Sequence, residues 1–382
     1  MPNMSDSFSE FIKKLNIPQE VKDMILEAKA AIQDHLRRGL ENFSVLPEGG
    51  GIRVIPRFFV QGSWAYDLVN MPDQVPPQQV DIDMGVYLPV SYLGTKRPSI
   101  AAKEFFAKAD FLLQQLANLR GWTIDRSKRT CTRVVLSHNA HFDLPLYSIP
   151  NGDFQGLAKA AVRGGFIKEA GAFNDSVVVD HMDLWEELPS DEVLLAMRDG
   201  DWKPSDPRKI HNWFKREVAR HGDQLRPVCR SVKAWRDRIW RAGGPSSIFL
   251  MAAVCRLFRA VPGRLDLALH GVLQGLPGLL QGPVYNPIDK DENLSEHQKP
   301  EDLLQLAREA AAFAADLGVA INSADAGGGA HKAIIRHLGL RFPLLAVETG
   351  RDLSQILTPI EKAERIRQQN RVQSIAKPYF RD

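Results

Sequence analysis

The sequence predicts an α+β chain, in which helices pack on a small sheet in the first half and a mainly helical region follows. Three observations carry that reading. Val21, Ile25, Ala28, Ile32 and Leu36 recur at steps of three and four between Gln19 and Phe43, the stripe of an amphipathic helix. Between Arg57 and Ile149, short runs rich in Val, Ile, Phe and Tyr are bounded by Gly, Pro and Ser, as strands are. Beyond about Asp180 the spacing is mostly helical.

Taken in order, Arg57–Gln61 is a short apolar strand halted by Gly62-Ser63, with a helix expected over Trp64–Val69. Val80–Val90 reads as a second strand after a Pro-rich turn, and Ile100–Leu119 as a helix. Thr132–Leu136 and His141–Ile149 read as two strands joined by the polar Ser137–Ala140 turn. Asp206–Val218, Leu225–Arg241 and Ser246–Phe258 are three helices, the last capped by Ser246 or Ser247 after Gly243-Gly244-Pro245. Gly282–Pro300 reads as a polar loop and Glu301–Leu317 as an Ala/Leu helix; Asn322–Gly329 interrupts the pattern before His331–Leu338. The tail after Thr358 is highly charged. The expected division is a helical segment over residues 1–50 packing on a core over 51–200, then a helical domain over 201–382.

Composition narrows the function classes. Of 382 residues, 44% are hydrophobic and 25% charged, which excludes a disordered chain, a collagen-like fibre and a coiled-coil rod. The length allows one large domain or two to three smaller ones. Forty-nine basic against 46 acidic residues leave a net charge of +3, too weak a surplus for bulk binding to a polyanion. Cys131, Cys229 and Cys255 are far apart and odd in number, which fits neither a disulfide framework nor a zinc site and suits a reducing cytoplasm. The first residues show no signal peptide, and apolar runs such as Ile248–Cys255 are too short to span a bilayer, so no membrane association is expected.

The chemistry-bearing feature is Gln61-Gly62-Ser63-Trp64 followed about twenty residues later by Asp81-Ile82-Asp83. Positions i and i+2 of a strand share a face, so Asp81 and Asp83 project together while Ile82 and Met84 enter the core. Two close carboxylates raise each other's pKa unless a positive charge intervenes, and a divalent cation such as Mg²⁺ is the natural solution. The Gly-Ser turn offers backbone N–H groups and a hydroxyl to phosphates. In isolation, a DxD is more often a charged strand edge and a Gly-Ser pair a common turn. A third carboxylate shifts the balance. In His141-Phe142-Asp143-Leu144-Pro145-Leu146, the apolar side chains face the core while His141 and Asp143 face the exposed side, which completes a three-carboxylate site for two metals. Arg226, Arg230, Lys233 and Asp237 share one helix face, opposite Leu225, Val228, Val232 and Trp235. That face suits a triphosphate or is simply solvated.

A Gly-Ser turn, a DxD strand and a third strand-borne Asp form the signature of the polymerase-β-like nucleotidyltransferases. With their flanks (QGSWAYDLVN, VDIDMGVYLPV, HFDLPLYSIP, MRDGDWKPSDP, LRPVCRSVKAWRDRIW and GGPSSIFLMAA), they closely resemble the cyclic GMP-AMP synthases of the bacterial CD-NTase (SMODS) family. The similarity runs from about Arg57 to Asp291 and weakly on to Phe342. It implies a polymerase-β-like core fused to a helical C-terminal domain, with the active site in the cleft between them. It also implies Asp81, Asp83 and Asp143 as catalytic metal ligands for two Mg²⁺ ions, with Mn²⁺ as a substitute. Gln61, Gly62, Ser63 and Tyr66 would contact nucleotide, with Arg133 on the strand before the third Asp. Ser205 and Ser247 match nucleotide-binding serines, Lys233 a lysine on the triphosphate, and Asp291 an acidic reader of guanine. The activity implied is synthesis of 3′,3′-cyclic GMP-AMP from ATP and GTP without a nucleic-acid template. The product would act on a separately encoded effector in CBASS anti-phage defence. Another cyclic di- or trinucleotide, or template-independent RNA nucleotidyl transfer, is the alternative. Regulatory or ligase partners belong to some defence operons of the family. The Phe380-Arg381-Asp382 end does not match the small terminal residue that such ligation systems conjugate, and the insertion near which family members bind folate-like inhibitors is not found before Arg57.

Overall fold

Arg57–Gln61 (β1), Val80–Pro89 (β2) and Ala140–Ile149 (β5) take up the strand periods read from the sequence. With Thr123–Asp125 (β3), Cys131–Val135 (β4), Leu194–Ala196 (β6) and Trp202–Pro204 (β7) they build one mixed sheet. Its main path is β1-β2-β5-β4-β3, and β6 extends it beside β5, followed by β7. The β2–β5 pair is parallel; the other pairs are antiparallel. The computed structural model describes residues 3–40, 56–89, 98–149, 193–322 and 329–343. The segment around residue 50, most of the Asn322–Gly329 interruption and the charged tail with its Phe380-Arg381-Asp382 end lie outside the described residues.

One face of the sheet is apolar. Phe58, Ile82, Met84, Val86, Val134, Phe142, Leu144 and Leu146 are all buried there. Gln19–Leu40 (α2) covers it through the stripe expected of that helix, Gln33 reaching the Met84 sulfur at 3.5 Å and Arg37 lying over the Phe58 ring. Pro98–Arg120 (α4) packs beside α2 and on β3 and β4. The α2–α4 approach is close: a Cβ at Gly39 would fall 2.3 Å from a Leu112 methyl carbon. Every residue of β5 is buried, so the face of His141 and Asp143 is not the exposed one that alternation suggested. Alternation assigns residues to two faces but does not say what covers either.

Contacts divide the chain into two compact units, Asn16–Arg226 with Pro287–Lys290, and Met1–Leu15 with Pro227–Asn286 and Asp291–Asp382. The first holds the sheet and also Gly62–Ala65 (α3) and Pro207–His221 (α5), whose N-cap is Asp206. The second contains Ser5–Lys14 (α1), most of Leu225–Ile239 (α6), Ser247–Leu257 (α7), Leu265–Leu279 (α8), Pro300–Asn322 (α9) and Gly329–Leu338 (α10). Within it α8 packs on α9 and α9 on α10, with Trp235 against Phe313 and Phe313 stacked on His337 at 4.6 Å. The polar stretch expected to be a loop holds a hairpin of Tyr285–Asn286 (β8) and Asp289–Asn293 (β9), then a 3₁₀ turn at Leu294–His297. Backbone pairing there needs no apolar pattern, so the sequence carried no signal for it. No described helix is long and apolar enough to cross a membrane.

α1 belongs to the helical unit because a fully buried carboxylate holds it there. Asp266 accepts hydrogen bonds from the Met4 N–H at 3.0 Å, the Ser5 hydroxyl at 2.9 Å and the Arg264 guanidinium at 2.9 Å. Ser5 in turn accepts from the Leu265 N–H. Burial pushes the Asp266 carboxyl up, but Arg264, Met4 and Ser5 outweigh it and leave the group below the ordinary carboxylate range. Its stabilisation is therefore complete at neutral pH and is lost only as pH falls through the lowered value. Asp266→Ala should cost about 3 kcal/mol in chemical denaturation, because it strands buried donors and a guanidinium, and should speed hydrogen exchange in α1. A loss under about 1 kcal/mol, with α1 protection unchanged, would show that the carboxylate does not anchor the helix.

Candidate active site

Strand registers assemble the polar face. Gln61 lies opposite Asp83, Asp83 opposite Asp143, Asp143 opposite Arg133, and Arg133 opposite Asp125. One row of side chains thus crosses five strands. The neighbouring position pairs Asp81 with His141. Because paired residues share a face, Asp81, Asp83, Asp143 and His141 form a two-by-two array across the parallel β2–β5 junction.

The four groups are neutralised unequally. Asp143 is 4% exposed and is gripped by Arg133, whose Nε lies 2.7 Å from one carboxylate oxygen and whose Nη2 lies 2.9 Å from the other. Lys128, from the β3–β4 connection, donates to it as well. Burial raises the Asp143 carboxyl, yet the two cations more than offset this and hold it below its usual range. Asp83 is pushed well above the usual range, first by burial and then by the negative charges of Asp81 and Asp143, which Lys128 and Arg133 only partly offset. Ligand atoms of Asp81, His141 and Asp143 lie within 4.8 Å of one another, close enough to share a cation.

Two glycines make room for this array. Gly62 has φ +69°, and a Cβ there would lie 2.1 Å from an Asp83 carboxylate oxygen. Only glycine allows that conformation and that approach together. A Cβ at Gly85, two positions beyond Asp83, would fall 2.6 Å from the Tyr87 ring and 2.9 Å from that of Tyr147. Those rings stack at 4.7 Å, and the Tyr147 hydroxyl accepts from the Gln61 amide at 3.2 Å.

The remaining residues singled out from the sequence are distributed differently. Ser63 lies half-buried in α3, which is a single turn at Gly62–Ala65 rather than the expected Trp64–Val69 helix. The turn stops there because Asp67 takes φ +58°, which a right-handed helix excludes. Tyr66 is buried, its ring centroid 5.7 Å from that of His211 and 6.0 Å from that of Phe214. Ser205 is half-buried just before the Asp206 cap, its N–H bonded to the Val193 carbonyl. Lys233, Ser247 and Asp291 belong to the helical unit. Lys233 is buried in α6, so the face read as solvated is partly covered. Ser246 is the cap of α7, accepting from the Phe249 N–H, while the Ser247 hydroxyl accepts from Arg236 at 3.5 Å. Asp291 is exposed on β9. Sequence reasoning missed Lys128, which no strand period marks, and gave His141 no role of its own. The thiol of Cys131, beside the row, is pushed up to about 12 by burial and the Asp143 charge, which leaves it no nucleophile at neutral pH.

With this geometry established, comparison with known proteins is informative. Residues 56–147 match the model of the nucleotidyltransferase domain of DncV-like cyclic GMP-AMP synthases, and residues 222–367 match the C-terminal domain of the same synthases. The chain belongs to the DncV-like nucleotidyltransferase family. A cyclic GMP-AMP synthase of Vibrio cholerae is 39% identical over 249 residues, which are 62% of this chain and 56% of that protein. One from Escherichia coli is 37% identical over 248 residues, 63% of this chain and 57% of that protein. These sequence matches thus span little more than half the length of either relative. The fold likeness runs further. The Vibrio cholerae di-nucleotide cyclase in complex with ATP, GTP and 5MTHFGLU2 superposes with a TM-score of 0.74 at 26% identity, covering 89% of this chain and 97% of that one. The same enzyme with the linear intermediate 5′ pppA(3′,5′)pG gives 0.72 at 26% identity, covering 89% and 96%. The central sheet and helical C-terminal region are therefore those of a polymerase-β-like nucleotidyltransferase.

Gly62→Ala should abolish activity without unfolding the sheet, because the Cβ must displace the Asp83 carboxylate. The expected stability loss is about 1–2 kcal/mol from the positive φ, read by thermal melting. Near-native activity in that variant would show that Asp83 need not sit where it does. Asp83→Asn should melt at or above the wild-type temperature, since it removes a charge that burial and two like neighbours disfavour.

Proposed function

We propose that this chain is a cyclic dinucleotide synthase that joins ATP and GTP into 3′,3′-cyclic GMP-AMP by two successive nucleotidyl transfers. The observation that carries the reading is the register of β2 against β5. It sets Asp81, Asp83 and Asp143 on one face beside the Gly62 turn, in a chain of the DncV-like family. Relatives that carry the name cyclic GMP-AMP synthase, and the complexes of the Vibrio enzyme with ATP, GTP and a linear dinucleotide, support the choice of substrates.

The carboxylates of Asp81, Asp83 and Asp143 would hold divalent cations, Mg²⁺ in the cell with Mn²⁺ as a substitute. When bound, such ions neutralise the phosphates and activate a 3′-hydroxyl. The chain's own groups have defined tasks beside them. Gly62 lets the turn approach Asp83, and Gln61, Ser63 and Tyr66 belong to the same segment, which would meet the nucleotide. Arg133 and Lys128 are held against Asp143. A triphosphate would offer both a second anion, so charge can pass from carboxylate to phosphate as nucleotide enters. Ser205, Lys233, Ser247 and Asp291 would complete the nucleotide contacts, with Lys233 on the triphosphate. The product would serve as a second messenger in the cytoplasm, read by a separate effector in anti-phage defence.

Incubation of the purified protein with the four NTPs and Mg²⁺ should yield a cyclic product of the mass of GMP-AMP together with pyrophosphate, cleavable by a 3′–5′-specific nuclease. Extension of an RNA primer instead would favour template-independent RNA nucleotidyl transfer. Asp81→Asn or Asp83→Asn should lower turnover more than about a hundredfold, or roughly 2.7 kcal/mol of barrier. Retained turnover above that level would remove the metal-ligand assignment. Asp291→Ala should shift the product of equimolar ATP and GTP towards cyclic di-AMP, because a carboxylate pairs with the N1–H and N2–H₂ edge of guanine and repels the lone pair of adenine N1. An unchanged product ratio would place guanine reading elsewhere.

A further inference from the structure

His141 stands apart from the three carboxylates that the family signature marks. It is 5% exposed, lies opposite Asp81 in the β2–β5 register, and belongs to the group whose ligand atoms lie within 4.8 Å of one another. A chain of hydrogen bonds defines its tautomer. The Gln79 Nε2 donates to the Ser137 carbonyl at 2.7 Å, so the Gln79 Oε1 is the atom that faces the imidazole. That oxygen lies 2.8 Å from His141 Nδ1, which must therefore carry the proton. In the neutral ring, Nε2 then presents its lone pair on the other side. It lies 2.8 Å from an Asp81 carboxylate oxygen, yet it is buried and makes no aligned hydrogen bond. A lone pair set against a carboxylate, with no proton in line between them, is the arrangement of two ligands awaiting one cation. The carbonyl-backed N–H on the far side of the ring is what orients a metal-bound histidine.

We propose that His141 Nε2 is a cation ligand together with Asp81 and Asp143, giving this chain a mixed nitrogen and oxygen site in place of an all-oxygen one. Mg²⁺ favours oxygen ligands, whereas imidazole nitrogen draws Mn²⁺ and the later divalent ions. The site should therefore prefer Mn²⁺ over Mg²⁺ more strongly than carboxylates alone would. Gln79 is a positioning residue that acts through the ring. The inference rests on the reading of Asp81 and Asp143 as cation ligands given above.

The test uses Mn²⁺ alone, without nucleotide, on the full chain, read by electron spin echo modulation. Bound Mn²⁺ should couple to an imidazole nitrogen, with the coupling changing when histidine is labelled with ¹⁵N. His141→Gln should abolish the coupling and weaken Mn²⁺ binding tenfold or more, with a smaller effect on Mg²⁺. Gln79→Leu, which leaves the ring in place, should weaken Mn²⁺ binding about tenfold. If Mn²⁺ binds and is lost in Asp81→Asn, but shows no nitrogen coupling, the histidine ligand is overturned and the carboxylate site stands. If Asp81→Asn binds Mn²⁺ as the wild type does, or the wild type binds none at millimolar concentration, the proposal fails. The first of those results also removes the carboxylate reading on which it rests. The wild-type signal decides even if the His141 variant does not fold.

Discussion

Carboxylates placed side by side on a partly buried sheet face repel one another and lose part of their hydration, and the more buried of them must find a positive partner or bind a proton. The parallel pairing of β2 with β5 creates that situation by setting Asp83 against Asp143 and Asp81 against His141. Asp143 is satisfied within the protein by Arg133 and Lys128. Asp83 is not, and its carboxyl is pushed upward by burial and its neighbours. The imbalance leaves negative charge that an added cation would offset. A fully paired set of carboxylates would leave little to gain from an added charge, and a fully exposed set would exchange water for it at small benefit. The helical unit shows the opposite outcome at Asp266, where backbone, hydroxyl and guanidinium donors satisfy the buried carboxylate completely.

The surroundings of the array follow from the same constraint. Gly62 and Gly85 flank Asp83 in space and along β2, and each omits a Cβ that would strike the groups about it. The stacked Tyr87 and Tyr147 rings lie over Gly85, and Gln61 bridges from the turn to the Tyr147 hydroxyl. Behind the sheet, Arg198 from the β6–β7 turn lies over the Phe106 ring and bonds to Asp110 of α4 and the Thr132 hydroxyl. It also reaches the Lys128 and Cys131 carbonyls. One guanidinium thereby ties the backbone that carries Lys128 and Arg133 to the helix beneath. Groups that must meet a ligand within a few tenths of an ångström gain from such support.

Much of the site was legible because its residues lie on strands. A period of two puts Asp81 and Asp83 on one face and Ile82 and Met84 on the other, and it separates His141 and Asp143 from Phe142 and Leu144, as observed. The stripe of α2, the strand at Arg57–Gln61 and the cap at Ser246 followed from equally local rules. Elements with weak local signals were missed. α1 is short, α8 is apolar nearly all round and contains Pro277, and the β8–β9 hairpin is built from polar residues.

The sequence by itself therefore determined which side chains share a strand face, where the main helices run, and, through linked motifs, the family. Only the tertiary structure decided which strands lie side by side, and with that which charges meet. Nothing local to Lys128 marks it as the partner of Asp143, and nothing local to Gln79 marks it as the support of His141. Burial of His141 and Asp143 was equally out of reach. Periodicity is a property of one segment, whereas register, burial and charge pairing belong to segments far apart in the chain, and only their packing sets the distances on which electrostatics depends.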